Sequence, residues 1–315
     1  MRIFIAGASG ALGRHLVPIL LRGSHEVVGT ARTEQKAESI RRQGAAAVIM
    51  DGLDPRSVGS AVRGAGPDII VHEMTQLSGV SDLRRFEAVF AVSNRLRTEG
   101  LEHLIKAGRE AGARRIIAQS FCGWPYRRTG SDVKSEDDPL DDDPPRQMRT
   151  TLEAIRHLED RLAGLSAMDG VALRYGGLYG RNTGLFEPSY VEQVKRRKLP
   201  VIGSGNGWWS FVHVADAAAA TAGFVEKGAP GVYNVVDDDP APVRTWLPQL
   251  AKMLGARAPM RVPAWLARFV AGEHIVNMMT EVRAGSNRKV KCEIGWEPQY
   301  GSWRDGFAKV IAGQD

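Results

Sequence analysis

Gly7, Gly10 and Gly13 recur at every third position in the opening stretch MRIFIAGASGALGRHL, a spacing suited to binding a pyrophosphate. The first glycine permits a tight turn at a strand's end, the second lets backbone approach the pyrophosphate, and the third lets helix and strand pack closely. Ser9, Ala11 and Leu12 complete the turn and the start of the helix, whose free N–H groups and positive dipole end favour an anion. The second strand then ends in Gly29, Thr30, Ala31 and Arg32, with the first acid only at Glu34. An NAD site normally places Asp or Glu there to accept from the ribose hydroxyls. Arg32 can bond a 2′-phosphate instead, which points to NADP over NAD; the competing reading is a solvated surface arginine. Asp51 and Gly52, at the end of a third strand, could hold an adenine amino group and flank its ring, or the acid could cap a helix ahead of Pro55. His72, the last residue of a fourth strand, and Glu73, Met74 and Thr75 after it lie where cofactor ribose would pass.

The elements that must hold these residues alternate. Strands are predicted at Ile3 to Ala6, Glu26 to Thr30, Ala45 to Met50, Asp68 to His72, Arg114 to Gln119 and Gly170 to Leu173, with helical periodicity through Leu12, Leu16, Ile19 and Leu20, at Gln35 to Arg42, over residues 82–112 and at Thr150 to Leu162. Pro18, inside the first helix, predicts a kink. Short connections between alternating strands and helices imply an α/β fold with a Rossmann-like, doubly wound parallel sheet, and its ligands bind at the carboxyl ends of the strands. From Arg181 the alternation weakens: a strand around Phe211 to Val214, an alanine-rich helix from Asp216, a strand at Gly231 to Val236, then helices punctuated by proline. Residues 1–180 read as the dinucleotide-binding domain, with the pieces near 208–236 returning to it. Residues 181–315 read mainly as a smaller, interleaved substrate domain.

A chain of 315 residues that is 43% hydrophobic can bury a large core. It contains no transmembrane-length apolar run and no signal-peptide pattern, so a soluble, cytoplasmic protein is expected, with no membrane partner. Cys122 and Cys292 are the only cysteines, which leaves no disulfide framework and no metal-ligand spacing. The net charge of +6 includes the run Lys195 to Lys198, but no nucleic-acid motif accompanies it and such runs are usually solvated helix faces. The acidic stretch Asp132 to Asp143, with its prolines, reads as a surface loop.

In order along the chain, GASGALG, VHEMT, the strand end at Ser120, LRYGGLYG, FVHVADAAAA, GVYNVVDDDP and SNRKVKCEIGWEP resemble the extended short-chain dehydrogenase/reductases, also called NAD-dependent epimerase/dehydratases. The resemblance covers nearly the whole chain. It implies a nicotinamide cofactor, a small C-terminal substrate domain, Gly177 and Leu178 near the nicotinamide, and a homodimer through helices on the sheet's flank.

Two departures limit what carries over. The family's acid/base pair is a Tyr with a Lys four residues later, at the start of the helix after the fifth strand, where the lysine lowers the tyrosine's pKa. Here that helix reads RQMRTTLEAIRHLED, with Met148 or Thr151 in place of Tyr and Leu152 or Ile155 in place of Lys. Ser120, near the family's hydroxyl partner, and Tyr126, in SFCGWPY, are the candidate catalytic groups; packing is the other reading of Tyr126. Second, nucleotide-sugar enzymes of the family carry an arginine just before the FVHV-like strand to pair with a diphosphate, and this chain has Trp208 and Trp209. Indoles suit an apolar or aromatic ligand.

These features predict an NADP-dependent oxidoreductase that reduces a carbonyl or activated double bond of a small, fairly apolar substrate, with Ser120 holding the oxygen and Tyr126 or water giving the proton. A sugar epimerase or dehydratase with relocated acid/base groups, or a non-catalytic NADP-binding regulator, are the alternatives.

Overall fold

The computed structural model describes residues 1–77 and 83–315. Seven parallel strands form the central sheet: β1 (Arg2–Ala6), β2 (Glu26–Ala31), β3 (Ala46–Ile49), β4 (Ile69–His72), β5 (Arg115–Phe121), β6 (Asp169–Tyr175) and β7 (Gly231–Val235), in the order β7-β6-β5-β4-β1-β2-β3. The order reverses direction at β1 and β4, which makes their carboxyl ends the switch point where such sheets bind ligands. Register brings Ala6 beside His72, His72 beside Ala118, and Ser120 beside Arg174. The strand ends singled out in the sequence therefore lie along one edge.

Helices α1 (Ala11–Arg22) and Val214–Glu226 cover one face, burying Leu12, Leu16 and Leu20 with Ala217 and Phe224 against Ile5, Val71 and Leu173. α3 (Pro55–Ala65), α5 (Leu101–Ala111) and α6 (Arg149–Ala163) cover the other, where Val62, Leu104 and Leu158 meet Phe4, Ile70 and Ile116. Both faces are covered, which is why the strands read as continuous apolar runs instead of alternating ones. α1 runs through Pro18 without a break; only one intrahelical bond is lost there, and packing on the sheet holds the helix. A shorter helix, α2 (Glu34–Arg41), is capped by Thr33, whose side chain accepts from the Lys36 amide.

The periodicity over residues 82–112 resolves into several pieces, its first position lying outside the described residues. A 3-10 turn (Leu83–Arg85) leads into α4 (Phe86–Arg95), a π-helical turn (Leu96–Gly100) and α5. β7 pairs with β6 and helix Val214–Glu226 packs on α1, so chain from beyond Arg181 completes the sheet. A separate core of Trp246, Trp303, Phe211 and Phe307 organises the remainder.

The acidic stretch lies at the surface as expected, with Asp132, Asp137, Asp142 and Asp143 exposed, but it is tied down. Strand Val133–Lys134 pairs with Ala284–Gly285, Lys134 is buried and ion-paired with Asp138, and buried Asp141 pairs with Arg128. Arg128, just before the stretch, and Lys134, within it, hold the loop in place. Among the described residues no helix is long and apolar enough to cross a membrane, and no group of acidic, histidine or cysteine residues could hold a metal ion.

Candidate active site

The glycine turn has the geometry that its spacing predicts. Gly7 has φ +101°, and a Cβ there would come within 2.8 Å of the Glu73 backbone, so only glycine lets β1 turn away while lying against the end of β4. A Cβ on Gly13 would sit 2.4 Å from the Ala8 carbonyl oxygen; glycine there lets α1 close onto the turn itself. The Gly7 amide donates to Thr30 Oγ1 at 3.0 Å and the Gly10 amide to the Gly7 carbonyl at 2.9 Å. The amides of Ala11, Leu12 and Gly13 open α1, where no acceptor exists within the helix. Ser9 is half-buried and Gly10 exposed at the tip, while the Leu12 side chain lies in the core, so Leu12 can serve a ligand only through its backbone. No acid occupies the first turn of α1, which leaves its positive end available to phosphate. The donor set fits a dinucleotide pyrophosphate.

Arg32 is exposed at the end of β2 and donates to Gln76 Oε1 at 3.1 Å, across the mouth of the site. Asp51 is exposed, its Oδ1 accepting from the Leu53 amide at 3.0 Å. The cap ahead of Pro55 is made by Asp54, through the Arg56 amide at 2.9 Å, so capping does not account for Asp51. Gly52 lies under Met74, whose Sδ is 2.5 Å from where a Gly52 Cβ would be; Thr75 follows, half-buried. Gly177 and Leu178 open the short strand Gly177–Gly180, held parallel to Phe211–His213.

His72 is corrected as a ligand-binding side chain. It is buried, its Nε2 lies 3.0 Å from the Leu96 carbonyl and its Nδ1 accepts from the Met74 amide at 3.2 Å. Burial lowers its pKa to about 4, so a neutral imidazole shapes the loop after β4. Its neighbour Glu73, placed by the sequence along the ribose path, is buried as well. That carboxyl is 6% exposed, with Oε1 accepting from the Tyr175 hydroxyl at 3.0 Å and Oε2 without a partner. Burial pushes it up to about 8 against the hydrogen bond from Tyr175, leaving an uncharged acid beside the glycine turn. An acid at the end of four buried strand residues was the signal for it.

Ser120 and Tyr126 are brought together, but inside the protein. The Ser120 hydroxyl donates to Glu159 Oε1 at 2.7 Å. Arg174 donates to both oxygens of Glu159, at 2.7 and 2.6 Å, and to the Tyr126 hydroxyl at 2.9 Å. Tyr126 in turn donates to Asn234 Oδ1 at 2.7 Å. Ser120, Tyr126 and Asn234 are each 0% exposed. Burial raises the Tyr126 pKa well beyond the ordinary phenol range. This closed network ties β5, β6, β7 and α6 together, and it corrects both catalytic assignments: in this arrangement neither hydroxyl faces a ligand.

At the family's Tyr/Lys positions stands an apolar wall. Met148, Leu152 and Ile155 are buried with Phe86 and Trp124, and Phe90, Phe121 and Trp209 pack against them. Phe86 stacks on Phe90 at 4.4 Å between centroids and meets Trp124 edge-on at 5.7 Å. Thr151 is polar within this wall, its Oγ1 accepting from Asn94 Nδ2 at 3.0 Å. Trp209 is anchored by Nε1 donating to the Met278 carbonyl at 2.9 Å and lies 5.2 Å from Trp246, so packing accounts for much of it. Trp208 is half-buried beside it, its amide bonded to Val282.

Comparison with known proteins agrees with this architecture. Residues 3–235 match the profile of the NAD dependent epimerase/dehydratase family. The chain is 40% identical over 313 residues to a 3-diazoavenalumate denitrifying reductase of a Streptomyces species, covering 98% of this chain and all of that one. It is 25% identical over 280 residues to the 4-hydroxy-2-methyl-3-oxo-4-farnesyl-3,4-dihydroquinoline-1-oxide ketoreductase of Stigmatella aurantiaca, covering 86% of this chain and 79% of that one. Its fold is similar to that of UDP-glucose 4-epimerase of Thermotoga maritima, with a TM-score of 0.78, 19% identity and coverage of 99% and 98%. The chain belongs to the NAD-dependent epimerase/dehydratase family and is an oxidoreductase that uses a nicotinamide cofactor.

Proposed function

We propose that this protein is an NADP-dependent reductase acting on an electrophilic π-bonded group, a carbonyl or activated double bond, of a small and fairly apolar substrate. The observation that carries the reading is the apolar cluster of Phe86, Trp124, Leu152 and Ile155 at the place where the family's Tyr/Lys pair is expected, with Phe90, Phe121 and Trp209 partly exposed at its surface. Such a wall suits a flat apolar body; its polar member, Thr151, is already bonded to Asn94. The relatives named as reductases of a diazo compound and of a farnesylated quinoline oxide support a conjugated, apolar substrate class.

The pyrophosphate would be held by the Ser9 to Gly13 turn, the adenine side by Asp51 and Gly52, and a 2′-phosphate by Arg32, with Met74, Thr75, Gly177 and Leu178 along the remaining length. When bound, the reduced nicotinamide supplies hydride. The residues of this chain orient the substrate and hold the negative charge that develops there; the proton comes from water.

The test is titration of purified protein with NADPH and NADH, then following NADPH oxidation against a panel of aromatic ketones, enones and diazo compounds. Preference for NADPH that shrinks about tenfold in Arg32→Ala, with oxidation on at least one acceptor, is expected. Preference for NADH, or no turnover on any acceptor, defeats the cofactor or the reductase assignment respectively.

A further inference from the structure

Arg97 is a buried cation that the fold does not explain. It is 3% exposed, its Nε has no partner, and its Nη1 reaches only Asn94 Oδ1, at the long distance of 3.4 Å. No carboxylate among the described residues pairs with it; the other arginine buried to this degree, Arg174, is bound by both oxygens of Glu159. A buried guanidinium without a counter-charge costs several kcal/mol. Burial lowers its pKa to about 10, which still leaves it charged at neutral pH.

Its position gives the charge a use. Asn94, its partner, donates to Thr151 in the apolar wall, and Leu96, its neighbour, bonds His72 at the carboxyl end of β4. Arg97 thus lies between the strand end that faces the cofactor and the helix that lacks the family's lysine. It is delivered by the π-helical turn Leu96–Gly100, a form found mostly as single turns and frequently at functional sites. Phe86, Phe90 and Asn94 precede it along α4 at helical spacing, so the stripe that is aromatic at one end is cationic at the other.

We propose that Arg97 is the cation of the reaction centre, pairing with the negative charge that forms on the oxygen of a conjugated carbonyl substrate whose flat body lies against the partly exposed Phe90, Phe121 and Trp209. The proposal rests on the reductase reading. Hydride accepted at the carbonyl carbon moves the C=O π pair onto oxygen; the resulting alkoxide faces the guanidinium until water protonates it, and the hydride donor is the reduced nicotinamide. A fixed charge aimed at developing charge in a dry site acts without reorganisation and is commonly worth two to three orders of magnitude in rate.

The test uses the full-length protein saturated with NADP⁺ and two small probes, benzoate, which carries the charge, and its neutral analogue benzamide, followed by calorimetry. Benzoate is expected to bind more tightly than benzamide, and Arg97→Met to abolish that preference by about tenfold or more while Arg97→Lys keeps most of it. The Met variant should melt at the same or a higher temperature, because an unpaired buried charge has been replaced by an apolar chain of similar reach. NADPH affinity should stay within about threefold of the parent protein. Equal benzoate affinity in the parent and Arg97→Met, or no benzoate preference in the parent, overturns the proposal. A fall in the melting temperature of Arg97→Met with its benzoate preference intact shows a structural cation and also overturns it; a large loss of NADPH affinity assigns the guanidinium to the cofactor instead. Absence of turnover on every acceptor defeats the reductase reading, while the probe titrations still report on Arg97.

Discussion

Ser120 and Tyr126 show why a residue's type and neighbours in sequence do not fix its role. Both hydroxyls are spent on Glu159, Arg174 and Asn234, so removing either should change stability before it changes chemistry. Tyr126→Phe leaves Asn234 Oδ1 and Arg174 Nη1 each short of a partner, and should cost about 1–3 kcal/mol in urea unfolding. Ser120→Ala should cost about 1 kcal/mol, since Arg174 still satisfies Glu159. NADPH oxidation by the folded fraction of both variants should remain within about fivefold of the parent; a loss of two orders of magnitude would restore their catalytic assignment. Glu73 makes a prediction about pH. Its folded-state pKa of about 8 lies above the ordinary 4.5, so the folded protein holds a proton that the unfolded chain releases. Stability contributed by this group is complete below 4.5, declines as pH rises, and is lost above 8. Glu73→Gln keeps a hydrogen-bonding group without the titration, and should flatten the melting temperature between pH 4.5 and 8, where the parent falls.

At the scale of elements, the contact between α1 and the glycine turn is set by atoms that are absent. Gly13 faces the Ala8 carbonyl oxygen at a separation no Cβ can share, so Gly13→Val must push the N-terminus of α1 away from β1. The expected result is loss of NADPH binding by about a hundredfold or more in fluorescence titration, with the far-ultraviolet spectrum retained; unaltered affinity would show that the first-turn amides do not hold the phosphates. The two halves of the first βαβ unit were legible because each obeys local rules: apolar strands, glycine turn, apolar helix stripe. The long periodic stretch after β4 was less legible. A π-helical turn inserts one residue without breaking the apolar pattern on either side, and its place at Leu96–Gly100 depends on what packs there, including the Leu96 carbonyl against His72.

A few polar contacts join segments that lie far apart along the whole chain. Asp216, at the start of helix Val214–Glu226, accepts from the amides of Gln299 and Tyr300 at 2.8 and 2.9 Å, and its carbonyl accepts from Trp296 Nε1 at 3.2 Å. These contacts dock the C-terminal segment against the dinucleotide-binding side. Asp216→Ala leaves the buried Tyr300 amide and the more exposed Gln299 amide without acceptors and should cost about 1–3 kcal/mol, with hydrogen exchange rising first in residues 296–312. Uniform exchange across the chain would show that the segment is not docked this way.

The sequence by itself determined the alternation of strands and helices, the pyrophosphate turn, the Arg32 strand end and the absence of the Tyr/Lys pair, because each is written in residues close along the chain and governed by backbone sterics or helix periodicity. Only the tertiary structure decided which polar groups face the site. Glu159 and Arg174 lie on α6 and β6, and their meeting with Ser120 and Tyr126 depends on strands pairing across more than fifty residues. Arg97 reads in sequence as one of many arginines; what singles it out is burial without a counter-charge, and burial is a property of everything packed around it.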